Sequence, residues 1–189
     1  MADLAYNYKQ NVTYEQINGT VYMMSRPSMT HAQIQSNIHG IFKSYLKGKS
    51  CRTFCDGDVF LGEKTNVVPD VMIVCDPEII KKDGVHGAPD LVVEILSPST
   101  ARKDRADKFF TYEKYGVKEY WIVSPEAKSV EVYINKDGKF MTDNVYTIYP
   151  DYLWNKLEKE EKAEAIFEIK VSLYDDFIVK LEDIFEYVE

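Results

Sequence analysis

The sequence predicts a protein of the α/β class, with a mixed sheet and helices packed against it in an α+β arrangement. Two runs at 70–75 and 90–96 are rich in valine, isoleucine and leucine with little alternation, which is typical of strands buried on both faces. Helical patterns lie before and after these runs, and an Asn-Gly and an Asp-Gly pair mark hairpins further out. Since strands occur on both sides of a helix, we expect the sheet to be mixed.

The N-terminal part predicts a hairpin and then a helix. The hairpin covers 14–24 and turns at an Asn-Gly pair, the strongest two-residue hairpin signal. Apolar residues then recur at helical spacing over 34–46. We expect Thr30 and Gln33 to form a capping box at the start of this helix and Gly48 to end it.

Three strands are predicted next, at 52–54, 70–75 and 90–96. The first of them could continue to Leu61. The segment 76–89 is rich in proline and glycine, so we expect a loop between the second and the third strand.

The second half of the chain predicts a further helix, a strand and a hairpin. A Ser-Pro-Ser-Thr segment at 97–100 is expected to cap a helix over 101–115, which Gly116 ends. An apolar strand follows at 119–123, and an Asp-Gly pair indicates a hairpin within 129–148. The C-terminal end is predicted as a helix or loop near 155–165, a strand near 177–181 and a short terminal helix.

Length and composition indicate one globular domain over 1–189. Hydrophobic residues make up 45% of the chain and charged residues 29%, which is ordinary for a soluble protein. The sequence has no run of 18 apolar residues, and its first residues lack the basic start and apolar stretch of a signal peptide. We therefore expect no membrane span and a cytoplasmic location.

Cysteine content and net charge bear on the environment and the partners of the protein. Cys51, Cys55 and Cys75 are an odd number with no second pair at a zinc-like spacing, so we expect small buried or half-buried thiols rather than a disulfide framework. The net charge of −8 is unfavourable for DNA binding, because neutralisation of phosphate supplies most non-specific affinity. Positive charge is nevertheless concentrated in the segment 102–114.

Two acidic residues lie in the predicted buried strands. Asp70 begins one strand after Pro69, and Glu94 lies in the middle of the next. A bare carboxylate among valine and isoleucine is costly to bury unless it is paired or bound to a metal. If the two strands are neighbours, both acids can converge on one cation, and two hard carboxylates with waters suit Mg²⁺ or Mn²⁺.

The helix after Glu94 carries a lysine toward the same region. Asp104, Lys108, Tyr112 and Tyr115 follow one another at spacings of four, four and three, so they share one helix face. A lysine on an otherwise aromatic face, aimed at a carboxylate site, can orient a water or balance phosphate charge. The alternative is a solvent-facing i,i+4 pair that stabilises the helix only slightly.

Two further residues could belong either to a site or to ordinary structure. His31 opens the first helix at the N-terminal end of its apolar face. A histidine there is either a packed, hydrogen-bonded core residue or a member of the site. Glu15 precedes the Asn-Gly turn and is either an exposed strand residue or a site residue.

Four segments occur in a specific order along the chain. They are Val-Pro-Asp-Val at 68–71, Ala-Pro-Asp-Leu-Val-Val-Glu-Ile-Leu-Ser-Pro-Ser-Thr at 88–100, Asp104 through Lys108 to Tyr112, and Gly-Val-Lys-Glu-Tyr-Trp-Ile-Val at 116–123. This combination resembles the Uma-two-type "putative restriction endonuclease" family within the PD-(D/E)xK nuclease superfamily. The N-terminal hairpin and the helix that opens at His31 also resemble that family, so the resemblance covers nearly the whole chain.

The resemblance implies a restriction-endonuclease-like core with an N-terminal hairpin and extra C-terminal strands. It also implies that Asp70 and Glu94, with the Ile95 carbonyl, hold Mg²⁺ (or Mn²⁺). Leu96 stands where the PD-(D/E)xK pattern has its lysine, and in this family the lysine looks displaced to the following helix, at the place of Lys108. The supporting residues implied around this site are His31, Asp104, Glu15 and Tyr112.

The implied activity is metal-dependent hydrolysis of phosphodiester bonds, with DNA as the substrate and a homodimer as the form that would cleave both strands. Lys108 would position the attacking water or help to deprotonate it. A second hypothesis is a catalytically silent nucleic-acid-binding or regulatory module on the same fold, and a third is a structural or interaction protein with a buried Asp/Glu/Lys network. Metal titration separates the first two, since a silent module need not bind Mn²⁺.

Overall fold

A computed structural model describes residues 13–188, and within them two sheets and a short two-stranded pair are accompanied by helices. The helices are α1 (Met29–Tyr45), α2 (101–115, in three parts), α3 (Asp151–Trp154), α4 (Lys159–Glu164) and α5 (Leu181–Ile184), with a 3₁₀ turn at Pro77–Ile79. The strands are β1 (Tyr14–Ile17), β2 (Thr20–Met23), β3 (Arg52–Cys55), β4 (Val59–Gly62), β5 (Thr65–Val67), β6 (Val71–Val74), β7 (Val85–His86), β8 (Leu91–Ile95), β9 (Glu119–Ser124), β10 (Ser129–Lys136), β11 (Lys139–Thr147), β12 (Glu168–Lys170) and β13 (Ile178–Lys180).

The six-stranded sheet positions the two predicted acids. Its strands run in the order β11-β10-β9-β8-β6-β3, with β8 and β9 parallel and the other neighbours antiparallel, so the predicted mixed sheet is confirmed. In the ladder between β6 and β8, Val71 pairs with Val93. One step further in the same register, Asp70 lies across from Glu94, and residues across an antiparallel ladder point to the same face.

Both faces of this sheet are covered, which explains the continuous apolar runs in β6 and β8. Helix α1 packs on one face through Ile34, Ile38 and Phe42, all fully buried, and the Phe42 ring meets the Trp121 ring edge-on at 5.6 Å between centroids. The opposite face packs against α2 and the five-stranded sheet, where Tyr112 is fully buried.

The five-stranded sheet, in the order β2-β1-β5-β4-β7, holds the N-terminal hairpin against the core. The predicted hairpin is confirmed, with Asn18 and Gly19 at φ of 49° and 87°. Two positive φ values are what a tight two-residue hairpin turn requires. Strand β1 also pairs with β5, the strand that leads through Val68 and Pro69 to Asp70.

Helix α1 begins at a different cap from the predicted one. Ser28 is the N-cap, and its Oγ accepts a hydrogen bond from the His31 amide at 3.1 Å, so the capping box of Thr30 and Gln33 was wrong. Thr30 already lies within the first helical turn, and an N-cap residue needs the extended backbone that Ser28 has. The helix ends three residues before Gly48, which takes a positive φ of 80° in the following turn.

The stretch 52–61 forms two strands rather than one. Strands β3 and β4 belong to different sheets, and the chain turns between them at Asp56, which has a φ of 51°. The predicted loop 76–89 also contains β7, which pairs in parallel with β4. A Cβ at Gly84 would lie 2.4 Å from the Asp58 carbonyl oxygen, so this close approach requires glycine. Strands of two or three residues, including β5 and β12, are too short to show a period in the sequence.

Helix α2 covers the predicted range but is irregular in its middle. Asp104–Lys108 forms a π-helical turn between two α-helical parts, a feature that often marks functional sites. Gly116 ends the helix as predicted, with a φ of 85°. The N-terminal cap differs from the prediction, because the Thr100 hydroxyl accepts a hydrogen bond from the Ser97 amide instead of from a helical N–H.

The C-terminal part agrees with the prediction in outline. The hairpin of β10 and β11 is confirmed, as are the strand near 177–181, which is β13, and the short terminal helix, which is α5. The segment near 155–165 contains α4, whereas α3 and β12 were not predicted. Among the residues that the structure describes, no helix is long and apolar enough to cross a membrane.

Cys51 and Cys75 form a disulfide bond, so the prediction that all three cysteines are thiols was wrong. Strand β3 pairs with β6 in a register that joins Arg52 to Val74, which places the two cysteines across from each other one step beyond that pair. Cys55 is a free thiol. An odd count argues against a framework of several disulfides, but it does not exclude a single bond between neighbouring strands.

Candidate active site

Asp70 and Glu94 lie together where β6 begins and β8 ends. Asp70 Oδ2 accepts a hydrogen bond from the Ile95 amide at 2.6 Å and lies 3.2 Å from His31 Nε2. Because Ile95 directly follows Glu94 in β8, this bond fixes the Asp70 carboxylate beside the other predicted acid. The register of the two strands thus brings together the pair that was expected from the sequence.

The Glu94 carboxylate is held by two donors from α2. Its Oε1 accepts hydrogen bonds from the Lys108 ammonium at 2.9 Å and from the Tyr112 hydroxyl at 2.6 Å. The side chain is only 4% exposed. Burial raises the pKa of Glu94 well above its ordinary value, and the charge of Lys108 opposes that shift.

Lys108 extends from helix α2 into the interior, where it contacts the acids. The alternative of a solvent-exposed i,i+4 pair with Asp104 therefore does not apply. Its Nζ lies 2.6 Å from Glu15 Oε1, 2.9 Å from Glu94 Oε1 and 4.0 Å from Asp104 Oδ1. Burial alone would lower the pKa of Lys108, but the surrounding carboxylates outweigh burial and raise it above the ordinary lysine value. An ammonium in this setting stays protonated and donates hydrogen bonds, so it is poorly suited to remove a proton from water.

Glu15 comes from the N-terminal hairpin and is completely buried, so the alternative of an exposed strand residue does not apply. Its Oε1 accepts hydrogen bonds from Lys108 and from the Val68 amide at 3.0 Å, and its Oε2 contacts Lys103 Nζ. Burial would raise the pKa of Glu15, but Lys108 and Lys103 together hold it below its ordinary value. Glu15 therefore acts as a charged anchor for two lysines of α2.

Asp104 lies in the π-helical turn and is 1% exposed. Its Oδ1 is buried and has no hydrogen-bond partner among the described residues. Burial raises the pKa of Asp104, while the neighbouring Lys108 and the Thr100 hydroxyl lower it in part. A buried carboxylate oxygen without a partner is unusual and requires an explanation.

His31 lines the same region from the start of α1. Burial would lower the pKa of its ring, but the hydrogen bond to Asp70 and the charges of Asp70 and Asp56 raise it above the ordinary value. The other ring nitrogen, Nδ1, is buried and has no hydrogen-bond partner among residues 13–188. The structure thus places His31 beside the acids, at the site rather than within the apolar core.

Three residues of this region were not recognised in the sequence. Gln35 donates from Nε2 to Asp56 Oδ1 at 2.8 Å and to the Asp70 carbonyl at 2.9 Å, and Lys103 contacts Glu15. Gln35 follows His31 by four residues, so the helical period could have placed it on the same face. Asp56 owes its position to a turn between two sheets, and no pattern in the sequence indicates that turn.

The site residues line a cavity of about 580 Å³ that is strongly acidic. One wall is the N-terminal hairpin and the segment after it, and the other is the start of α2. Among residues 13–188, and besides His31, its charged lining consists of six acids against three cations, namely Glu15, Asp56, Asp70, Glu94, Asp104 and Asp107 against Arg102, Lys103 and Lys108.

Divalent metal binding is chemically reasonable at the acid pair. The contacts described above use Asp70 Oδ2 and Glu94 Oε1, which leaves the second oxygen of each carboxylate outside them. No group of three or more His, Cys, Asp or Glu side chains within 13–188 is arranged to hold a metal ion. Two carboxylates, a backbone carbonyl such as that of Ile95, and several waters are a donor set that Mg²⁺ accepts, since this ion keeps part of its water shell in proteins.

The chain is similar to a described family and to a known relative over most of its length. The family Uma2, described as "Putative restriction endonuclease", matches residues 3–149. An uncharacterised protein of Synechocystis sp., slr1290, is 30% identical over 146 residues, which cover 75% of this chain and 76% of that protein.

A solved structure is similar over almost the whole chain. This protein, from Anabaena variabilis, is described as a "putative nuclease belonging to DUF820". It superposes on this chain with a TM-score of 0.72 at 22% identity. The match covers 94% of this chain and 92% of the other. At this identity the similarity shows the fold, and it is consistent with the predicted restriction-endonuclease-like core.

Proposed function

Since this chain belongs to the Uma2 family, described as "Putative restriction endonuclease", we propose that it is a metal-dependent endonuclease that hydrolyses phosphodiester bonds of DNA. One observation carries the proposal. The Lys108 ammonium lies 2.9 Å from Glu94 in a cavity that Asp70 also lines, so two acids and a lysine meet although β8 has Leu96 at the usual lysine position. Catalysis depends on where a group lies and not on its order in the sequence.

The metal proposed is Mg²⁺ or Mn²⁺, held by Asp70, Glu94 and the carbonyl oxygen of Ile95. When bound, such an ion polarises a phosphate and lowers the pKa of a coordinated water. Asp70 is kept in place by the Ile95 amide and by His31, and Glu94 by Tyr112. Residues that hold ligands in position in this way usually affect metal affinity when they are changed.

Lys108 contributes positive charge and hydrogen bonds. Its raised pKa keeps the amine protonated, so its role is to stabilise the negative charge that develops on the phosphate and to orient a water. Glu15 holds the amine from the opposite side at 2.6 Å. Because Lys108 stays protonated, a role in positioning the water is favoured over a role in deprotonating it.

The charge of the cavity makes DNA binding dependent on the metal. Six acids against three cations repel a phosphodiester, and the whole chain carries a net charge of −8. A divalent cation at the acid pair removes part of that repulsion just where the phosphate must come closest. We therefore expect DNA affinity to be low in EDTA and to rise with added Mg²⁺ or Mn²⁺.

The test is cleavage of plasmid and of labelled oligonucleotides with Mg²⁺ or Mn²⁺. Wild type is compared with Asp70→Ala, Glu94→Ala and Lys108→Ala, each purified in the same way. Cleavage by wild type and its loss in these three variants support the proposal. Glu126→Ala, at an exposed residue in the turn between β9 and β10, is the matched acidic control and should cleave like wild type. Equal traces of cleavage in every preparation would show contamination and would remove the proposal.

A silent nucleic-acid-binding or regulatory module remains the second candidate, and the net charge together with the absence of a three-residue ligand cluster in the described part of the chain favours it. Calorimetric titration with Mn²⁺ separates the two functions. A nuclease must bind the ion, and its binding must weaken in Asp70→Ala, whereas a silent module binds DNA without cleaving it and need not bind Mn²⁺. A homodimer that cleaves both strands is part of the first proposal, and sedimentation of the DNA-bound protein tests it.

A further inference from the structure

One carboxylate oxygen at the site is buried but has no hydrogen-bond partner in the described part of the chain. This atom is Oδ1 of Asp104, in the π-helical turn of α2. Asp104 also lines the acidic cavity. Buried polar atoms almost always have a partner in folded proteins, and an exception points to a missing ligand, ion or water. Asp104 Oδ1 can therefore accept a hydrogen bond from a ligand or a water.

A structural carboxylate in the same protein looks different. Glu119 is also fully buried, but its Oε1 accepts from the Trp121 indole at 2.6 Å and its Oε2 accepts from the Ser172 amide and hydroxyl. Every oxygen of Glu119 is therefore satisfied inside the fold. The contrast shows that this fold can fully satisfy a buried acid where the acid serves only structure.

The nearest cation to Asp104 Oδ1 is the Lys108 ammonium, 4.0 Å away. That separation is too long for a direct hydrogen bond, because N–H···O contacts span about 2.7–3.2 Å. Two atoms that each lie about 2.8 Å from one shared water oxygen stand roughly 4.0–4.6 Å apart, so the gap suits a single bridging water. Of the three N–H donors of Lys108, two are directed to Glu15 and Glu94, which leaves the third for such a water.

We propose that Asp104 and Lys108 hold the attacking water between them and that Asp104 accepts its proton. This inference rests on the nuclease function proposed above. The water oxygen forms the new bond to phosphorus while the bond from phosphorus to the leaving oxygen breaks. One proton of the water passes to Asp104 Oδ1, and the leaving oxygen takes a proton from solvent. Lys108 donates to the water and keeps its own protons throughout.

A water fits this position better than a second cation does. A divalent ion on Asp104 Oδ1 would stand close to the Lys108 ammonium, and the two positive charges would repel each other. A water, in contrast, donates to the carboxylate and accepts from the ammonium, so it satisfies both partners. The proposed residue is thus a catalytic base and not an additional metal ligand.

Asp104→Asn tests the proposal because it preserves the shape of the side chain but removes the proton acceptor. We expect kcat for oligonucleotide cleavage to fall by about 100-fold or more, in the range usual for loss of a general base. KM should stay within about threefold, and so should the Kd for Mn²⁺ alone measured by calorimetry, because neither Asp70 nor Glu94 changes. Thermal stability should rise, since a buried carboxylate oxygen without a partner is replaced by a neutral amide.

Two further variants make the result decisive. Asp137→Asn changes an exposed acid in the turn between β10 and β11, outside the cavity, and this variant should keep wild-type kcat. Asp104→Ala should be slow and should recover part of its activity in added formate, which supplies a carboxylate to the vacated space. This second variant also serves if the asparagine does not fold.

The outcomes separate this inference from the proposed function. If wild type cleaves and Asp104→Asn keeps its kcat, the role of Asp104 is wrong while the nuclease function stands. A lower stoichiometry or a tenfold weaker Kd for Mn²⁺ in Asp104→Asn would make Asp104 a metal ligand and overturn the role as base. Absence of DNA cleavage by wild type in either metal removes the nuclease function and this inference with it.

Discussion

The ammonium of Lys108 and the carboxylate of Glu94 lie 2.9 Å apart in the interior, although one belongs to a helix and the other to a strand. Leu96, two residues after Glu94, instead joins the apolar cluster beneath α2. The amine therefore reaches Glu94 from helix α2, and Glu15 of the hairpin lies 2.6 Å from it. Several testable consequences for stability and binding come from this arrangement.

Removal of the Lys108 charge should destabilise the fold strongly. Lys108→Met leaves Glu15 and Glu94 buried beside each other without their cation, and breaking a buried pair in this way costs about 3–5 kcal/mol. Urea unfolding measures the loss. Lys180→Met is the matched control, because Lys180 pairs with Glu182 and both side chains are more than half exposed, so the effect there should be small.

A second substitution should restore part of that loss. Glu15→Gln removes one of the two buried carboxylates that lose contact with Lys108, although Lys103 still contacts Glu15, so Glu15→Gln/Lys108→Met should be more stable than Lys108→Met alone. Strict additivity of the two single changes in urea unfolding would contradict a direct interaction between these residues.

Divalent metal should stabilise the protein through the acid pair. An ion that binds only the folded state at 100 times its Kd adds about 2.7 kcal/mol to the free energy of unfolding. We expect thermal unfolding to shift upward with Mg²⁺ or Mn²⁺ and to return with EDTA. The shift should vanish in Asp70→Asn but persist in Glu126→Gln, and an equal shift in both variants would place the metal elsewhere.

The disulfide should contribute to stability independently of the site. Cys51 and Cys75 are 24 residues apart, and a cross-link that closes a loop of this length stabilises by about 3 kcal/mol when the unfolded chain is restricted. Dithiothreitol or Cys51→Ser should therefore lower the urea midpoint. Cys55→Ser, at the free thiol, should leave the midpoint unchanged, and a thiol titration that finds three free cysteines would refute the bond.

Glu113 should make stability depend on acidic pH. Its carboxylate accepts hydrogen bonds from Lys139 and from the Phe140 amide, and these contacts hold its pKa below the ordinary glutamate value. A lowered pKa in the folded state means that the contribution is present above the unfolded pKa and is lost as the pH falls through the folded pKa. The difference in Tm between wild type and Glu113→Gln should thus be largest near neutral pH and shrink on acidification.

The sequence predicted the elements that have a clear period or a clear turn. The α1 face, the two hairpins and the Gly116 end of α2 were confirmed because apolar spacing and positive φ leave direct marks in the sequence. The shortest strands were missed, since two or three residues show no period. The π-helical turn was missed because it lies within a segment predicted as one continuous helix. The Cys51–Cys75 bond depends on the register between β3 and β6, which only the assembled sheet determines.

For the site, the acids and Lys108 could be named from burial cost, helix spacing and the resemblance. The state of Glu15 could not, because an acid before a hairpin turn is ordinarily exposed, and only the pairing of β1 with β5 turns it inward. Asp56 and Gln35 were missed for a related reason. Both depend on how the turn after β3 meets helix α1, a contact between distant parts of the chain.

Glu15 also links the site to the order of events in folding. It contacts Lys103 across 88 residues of sequence, and the hairpin that carries it must dock before Lys103 gains this partner. Contacts of such long range form slowly, because the chain must first lose the entropy of closing a large loop. In a chain whose hairpin has not docked, Lys103 therefore lacks its carboxylate partner and the cavity lacks one of its walls.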